Sequence, residues 1–284
     1  SNLIITSIDN DHLETYQGDF KKLLNAFKEF TLNIPFKGKI VCYGDSKDLK
    51  KIIKNVPRNF ITYGFDKIND FQITDLLQSI NGCKFNLINN LDDSNFEFFV
   101  PLHGKHNVLN VVASVIMSIE EGINIEDISE ALLTCKTVER RFEVISNNIF
   151  NKGITLVDDY GHHPEEIKVT LETIDKVWKD NKKVVIFQPH RYSRTKALFK
   201  EFVEILSEID DLILLDVYPA SENIIKGFES DDLLKAANKK NNIIKANGVE
   251  DALLKLKELL NDHSLILTQG AGNTSALAKL ISEH

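Results

Sequence analysis

Residues 155–167 read Thr-Leu-Val-Asp-Asp-Tyr-Gly-His-His-Pro-Glu-Glu-Ile. Two carboxylates, a phenol and two imidazoles stand between an apolar run and a proline, and such groups hold metal ions, move protons or grip a polar ligand. A second set follows in Gln188-Pro189-His190-Arg191-Tyr192-Ser193-Arg194-Thr195, where two arginines three residues apart near a helix start can direct both guanidinium forks at one carboxylate or phosphate. Each set also has a plainer reading. Asp158 and Asp159 can be capping acids, adjacent histidines point apart so that at most one of His162 and His163 enters a site, and the arginines can pair with nearby glutamates. Against that last reading, cations at a helix N-terminus oppose the dipole, and a bound anion would offset the conflict.

The first half is sparser. His12 sits in Asp-Asn-Asp-His just past an apolar run, a candidate magnesium or phosphate site or simply a solvated loop. Lys105, His106 and Asn107 open a long apolar run, where exposed N–H groups and an amide can meet a purine or an anion. Asn107 can equally be only a cap.

These groups need elements to carry them. With 284 residues the chain is long enough for two α/β domains, divided near residues 137–141 into 1–138 and 139–284. In the first, residues 3–8, 39–44 and 59–65 read as strands, and 20–34 as a helix. The runs Cys83–Asn89 and Phe96–Leu102, joined by a turn-forming Leu-Asp-Asp-Ser-Asn, suggest a small antiparallel sheet. Helices then follow at 104–121 and 126–135. In the second, strands at about 154–159, 183–188, 212–217, 243–245 and 264–268 each precede a helical segment. Five such units imply a doubly wound, mostly parallel Rossmann-like sheet. Pro164 suits the first turn of the helix after the first of these strands, and Ile167, Leu171, Ile174 and Trp178 give it one apolar stripe. The polar clusters and a Gln-Gly-Ala-Gly-Asn turn all fall after strand ends, where open parallel sheets bind ligands.

The net charge of −8 argues against nucleic acid as a partner, because phosphate backbones need clustered cations. Cys42, Cys83 and Cys135 are odd in number and form no CxxC pair, so neither a disulfide framework nor a zinc knuckle is expected; a reducing cytoplasm fits. No apolar stretch approaches the length that crosses a bilayer, so no membrane partner is expected.

Taken in order, "DNDHLETYQGDF", "GKHNVLN", "ERRFE", "VDDYGHHP", "FQPHRYSRT", "LLDVYPASE" and "TQGAGN" resemble the Mur ligases, and specifically their alanine-adding branch. The resemblance runs from the first residues to the last. It implies an ATP- and Mg2+-dependent ligase of peptidoglycan synthesis, cytoplasmic, that joins L-alanine to UDP-N-acetylmuramate through an acyl phosphate. It implies a central ATPase-type α/β domain followed by a Rossmann-like one. It also implies roles: His12 as magnesium ligand, His106 and Asn107 at the adenine, and Arg141 at the phosphates. Asp159 would serve the ribose or a magnesium-bound water. Tyr160, His162, His190, Arg191 and Arg194 would lie on the substrate side, with His12, Arg141 and His162 as the catalytic set. The family's GxxGK[ST] phosphate loop is not in these 284 residues. The chain is therefore expected to be the carboxyl-terminal two-thirds or so of a ligase, with an incomplete central domain, and inactive alone. Other readings are a muropeptide-recycling Mur ligase, a phosphohydrolase with two metals on Asp158, Asp159, His162, His163 and His190, and a non-catalytic nucleotide-binding module.

Overall fold

The computed structural model describes residues 1–8, 13–237 and 242–284, so His12 lies outside the described residues. The chain divides into two compact units, Ser1–Lys136 and Thr137–His284.

The first unit contains β1 (Leu3–Ile5), α1 (Phe20–Leu32), β2 (Lys39–Tyr43), α2 (Lys47–Asn55), β3 (Asn59–Gly64), β4 (Phe71–Ser79), β5 (Gly82–Asn89), β6 (Ser94–Val100), α3 (Lys105–Glu120) and α4 (Ile125–Leu133). Its strands make one six-stranded sheet in sequence order. β1 through β4 pair in parallel, and β4, β5 and β6 pair antiparallel. The expected small antiparallel sheet is thus not separate; it extends the parallel one, through a join of only two pairs, Tyr63 with Phe71 and Gly64 with Gln72. The joining strand, β4, is missing from the sequence reading for a physical reason. Its inward alternation of Phe71 and Ile73 stops where Asp75 turns to φ 51° and the register shifts between Thr74 and Leu77. β1 is also shorter than the run 3–8 suggests. α1 and α2 cover one face of the sheet through Leu23, Leu49 and Ile52; α3 and α4 cover the other through Val108, Val112, Ile116 and Ile128.

The second unit contains β7 (Glu143–Ile149), β8 (Ile154–Asp159), α5 (Pro164–Val177), β9 (Lys183–Phe187), α6 (Tyr192–Ala197), α7 (Phe199–Leu206), β10 (Asp211–Leu215), α8 (Ser230–Ala237), β11 (Asn242–Ala246), α9 (Val249–Leu259), β12 (Leu265–Gln269) and α10 (Thr274–Ser282). The sheet order is β11-β10-β9-β12-β8-β7. All pairs are parallel except β7 with β8. Strand β7 escapes sequence reading because two register shifts spoil its alternation. The helical segment expected after β9 is not continuous: it breaks at Leu198, giving α6 and α7.

Both faces of this sheet are covered, which is why β8 is buried at every position. α5, α7 and α8 pack over Val157, Val185, Phe187, Leu212 and Leu214. α9 and α10 pack over Leu156, Ile186, Ile213 and Ile266. Trp178, at the end of α5, is 5% exposed and stacks on Phe142 with ring centroids 6.1 Å apart. α5 starts as its sequence indicates: His163 is the N-cap, and the Glu166 carboxylate accepts from the backbone N–H of His162 at 2.8 Å and of His163 at 2.9 Å.

Candidate functional site

The carboxyl ends of the second sheet are sewn together by the loops that leave them. Gly270 N donates to Asp159 O, Gln188 N to Gln269 O, Tyr218 N to Pro189 O and Arg191 N to Tyr218 O, all at 2.8–3.1 Å. The Gln188 amide spans two more loops, donating to Asp216 O and accepting from Asn273 N. Asp159, Tyr160, His162, His190, Arg191 and Arg194 therefore belong to one rim.

On that rim the rings meet in series. Tyr160 and His162 approach edge to face at 5.3 Å, His162 and His190 at 5.3 Å, and His190 stacks on Tyr218 at 5.4 Å with planes 7° apart. His163 turns away to cap α5, so one histidine of the pair reaches the rim. Arg191 occupies the N-cap position of α6 at φ 70°, a left-handed conformation costly for a long side chain. Glu222 secures it from the next loop, accepting from Ser193 N at 2.9 Å and Ser193 Oγ at 2.6 Å. Arg194 Nη1 lies 3.5 Å from His190 Nδ1, and Arg191 Nε is buried without a partner among the described residues. Burial, His162 and the two arginines push the His190 imidazole down to about 4, so it stays neutral near pH 7. The rim thus offers two guanidinium groups and a neutral imidazole, a set suited to an anion.

The two acids are committed elsewhere. Asp159 Oδ1 accepts from Gly161 N at 2.8 Å, Gln269 Nε2 at 3.0 Å and Thr170 Oγ1 at 3.3 Å, and Oδ2 from Phe142 N at 2.9 Å. Its carboxylate ties the turn together, and a nucleotide contact would have to share it. Gly161 permits this closeness: a Cβ there would fall 2.5 Å from Asp159 Oδ1. Asp158 pairs with Arg140 Nε at 2.9 Å and accepts from Thr268 Oγ1 at 2.6 Å. Burial pushes its carboxyl up, while Thr268 and Arg140 pull it back down. Among the described residues no three His, Cys, Asp or Glu side chains gather as metal ligands. The two-metal reading loses Asp158, Asp159 and His163 to these bonds.

Arg140 and Arg141 divide their tasks. Arg140 is built into the fold, whereas Arg141 is exposed and its guanidinium has no hydrogen-bond or ion-pair partner among the described residues. In the first unit, His106 and Asn107 lie in the first turn of α3 behind Gly104, whose φ is 89° and which brings no capping side chain. Asn107 is not the cap: its Nδ2 donates to His103 O at 2.8 Å, which leaves Oδ1 outside that bond. Lys105 Nζ sits 4.1 Å over the Phe65 ring.

Two family models match this chain, the Mur ligase middle domain over residues 3–118 and the Mur ligase glutamate ligase domain over residues 140–272. The chain belongs to the Mur ligase family. Among Mur ligases it is 38% identical to the UDP-N-acetylmuramate–L-alanine ligase of Wigglesworthia glossinidia brevipalpis over 98% of its own length, and 41% identical to that of Hydrogenovibrio crunogenus over 97%. It spans 60% of the length of each of these relatives. The crystal structure of UDP-N-acetylmuramate-alanine ligase from Thermotoga maritima matches 99% of the chain with a TM-score of 0.74 and 25% identity; the chain covers 59% of it. The MurF ligase of Thermotoga maritima in complex with ADP shares the fold, with a TM-score of 0.77 at 18% identity, over 99% of this chain and 61% of that one. Two residues of the Mur ligase rim escaped the sequence reading. Glu222 lay in the recognised Tyr-Pro-Ala-Ser-Glu segment with nothing to link it to Ser193, and Arg140 was hidden beside its neighbour in Glu-Arg-Arg-Phe-Glu.

Proposed function

We propose that this chain is part of an ATP-dependent ligase that joins L-alanine to the carboxylate of UDP-N-acetylmuramate in peptidoglycan synthesis. Residues 1–138 are read as part of the central ATP-binding domain and 139–284 as the carboxyl-terminal domain. The observation that carries the reading is the convergence of Tyr160, His162, His190, Arg191 and Arg194 on one rim, in a chain about 40% identical to two alanine ligases.

A carboxylate resists amines because its leaving group would be oxide. The carboxylate oxygen takes the γ-phosphoryl of ATP, ADP leaves and an acyl phosphate forms; the neutral alanine amine attacks its carbonyl carbon, and the tetrahedral intermediate collapses to the amide with release of phosphate and of the amine proton. Such chemistry depends on positioning and charge stabilisation. Arg191 and Arg194 would hold a substrate carboxylate, and neutral His190 would accept a hydrogen bond from the amine side without adding repulsive charge. Arg141 would reach the phosphates, and His106 with Asn107 would meet the adenine. For Mg2+ no three His, Cys, Asp or Glu side chains gather among the described residues, so this part of the chain alone does not enclose the ion.

The reading is tested by titrating UDP-N-acetylmuramate into the chain while following the imidazole resonances of His162 and His190. Movement of both, abolished in Arg191→Ala, is expected; silent rings refute it. We infer also that the chain alone does not turn over ATP, since no GxxGK[ST] segment occurs in its sequence. Phosphate release at a ligase-like rate in the presence of UDP-N-acetylmuramate and L-alanine would overturn that inference.

A further inference from the structure

The ladder of rings on the rim is anchored at one end by a residue with no assigned part. The Arg140 guanidinium lies 5.1 Å over the Tyr160 ring. Its Nε donates to Asp158 Oδ2 at 2.9 Å, and its Nη2 donates to Thr274 Oγ1 at 2.9 Å and to the Gly270 carbonyl. The main chain is fixed as well: Arg140 stands at φ 60°, its N–H donates to Glu143 Oε2 at 2.8 Å, and its carbonyl accepts from the Tyr160 N–H. Tyr160 itself is 45% exposed, and its phenol makes no hydrogen bond with the described residues. Its ring lies under the guanidinium and meets the His162 ring edge to face at 5.3 Å.

We propose that Arg140 is a positioning residue, which holds the Tyr160 ring so that His162 meets His190 in one fixed orientation beside Arg191 and Arg194. This rests on the reading of that rim as substrate-facing. Three features favour positioning over ligand binding. Asp158 neutralises the guanidinium, so it adds little to the attraction of an anion. Three of its five N–H donors are spent on β8, on the turn after β12 and on α10. A planar fork that bonds three acceptors while its carbon lies over a ring is something arginine provides and lysine does not.

The test uses the 284-residue chain and the ring resonances of His162 and His190. Arg140→Lys and Tyr160→Leu are each expected to shift the His162 signals. The double variant should shift them no further than Tyr160→Leu alone, because one effect runs through the other. Tyr160→Phe keeps the ring and should restore the original spectrum. A merely structural Arg140 would lower the melting temperature and leave His162 in place. The proposal is overturned if a folded Arg140→Lys chain keeps its His162 signals, or if the two effects add. Should Arg140→Lys fail to fold, Tyr160→Leu at its half-exposed position still decides: an unmoved His162 overturns the ladder. If the ladder responds but the wild-type rings ignore UDP-N-acetylmuramate, the substrate reading fails and the ladder stands; the reverse pattern refutes the ladder alone.

Discussion

His190 shows how burial and neighbouring cations set a side chain's chemistry. In the unfolded chain its imidazole titrates near the ordinary value of about 6.5, and in the folded unit at about 4. Between those values the unfolded state binds a proton that the folded state does not, so the His190 contribution is complete above the unfolded value and is lost as pH falls through the window. Glu222 opposes the shift; His162, Arg194 and Arg191 deepen it. His190→Gln should therefore narrow the gap between denaturation midpoints measured at neutral and mildly acid pH, and an unchanged gap would show that the acid sensitivity arises elsewhere. At the same scale, Arg194→Ala removes a charged donor. We expect UDP-N-acetylmuramate to bind roughly ten- to a hundredfold more weakly, measured by calorimetry, as loss of a charge-assisted hydrogen bond implies. The residue types at this rim were legible from their sequence neighbours. Their commitments were not: nothing in Asp-Asp-Tyr-Gly-His-His indicates that Asp159 will answer to Phe142, Thr170 and Gln269, partners brought in by other elements.

Among elements, α6 has the most to lose. It has six residues, its N-cap is a left-handed arginine, and no side chain of its own caps it. The Glu222 carboxylate supplies that cap from the loop after β10. Glu222→Ala should cost about 1 kcal/mol, as loss of an N-cap does, read as a lower denaturation midpoint for the second unit. Ser193→Ala should give a smaller loss, because the backbone N–H bond survives, and in the double variant the two losses should not add. A Glu222→Ala chain as stable as the original would mean that Arg191 holds its conformation unaided. Periodicity marked the regular elements well, including all five parallel strands of the second sheet and the stripe on α5. It failed at β4, β7 and the break in α6–α7, where a bulge, two register shifts and Leu198 interrupt the repeat that periodicity depends on.

At the scale of the whole molecule, the three cysteines report on the first unit. Cys42 and Cys83 are fully buried, and burial pushes their thiols up to about 12 and about 11. Cys135 is partly exposed. A thiol reagent at neutral pH should label one cysteine quickly and the other two only as fast as the first unit opens. Three equal rates would contradict the packing of β2 and β5. The two-unit organisation followed from the change of pattern along the sequence. The union of parallel and antiparallel strands into one sheet did not, because it rests on the two pairs between β3 and β4.

The lone indole gives the second unit a spectroscopic voice of its own. Trp178 is the only tryptophan, shielded from water and stacked on Phe142. Light absorbed at the red edge of the near-ultraviolet band will therefore excite a chromophore in one unit alone. A red-shifted emission during denaturation times the loosening of α5 from its sheet, while slow thiols time the opening of the other unit in the same sample.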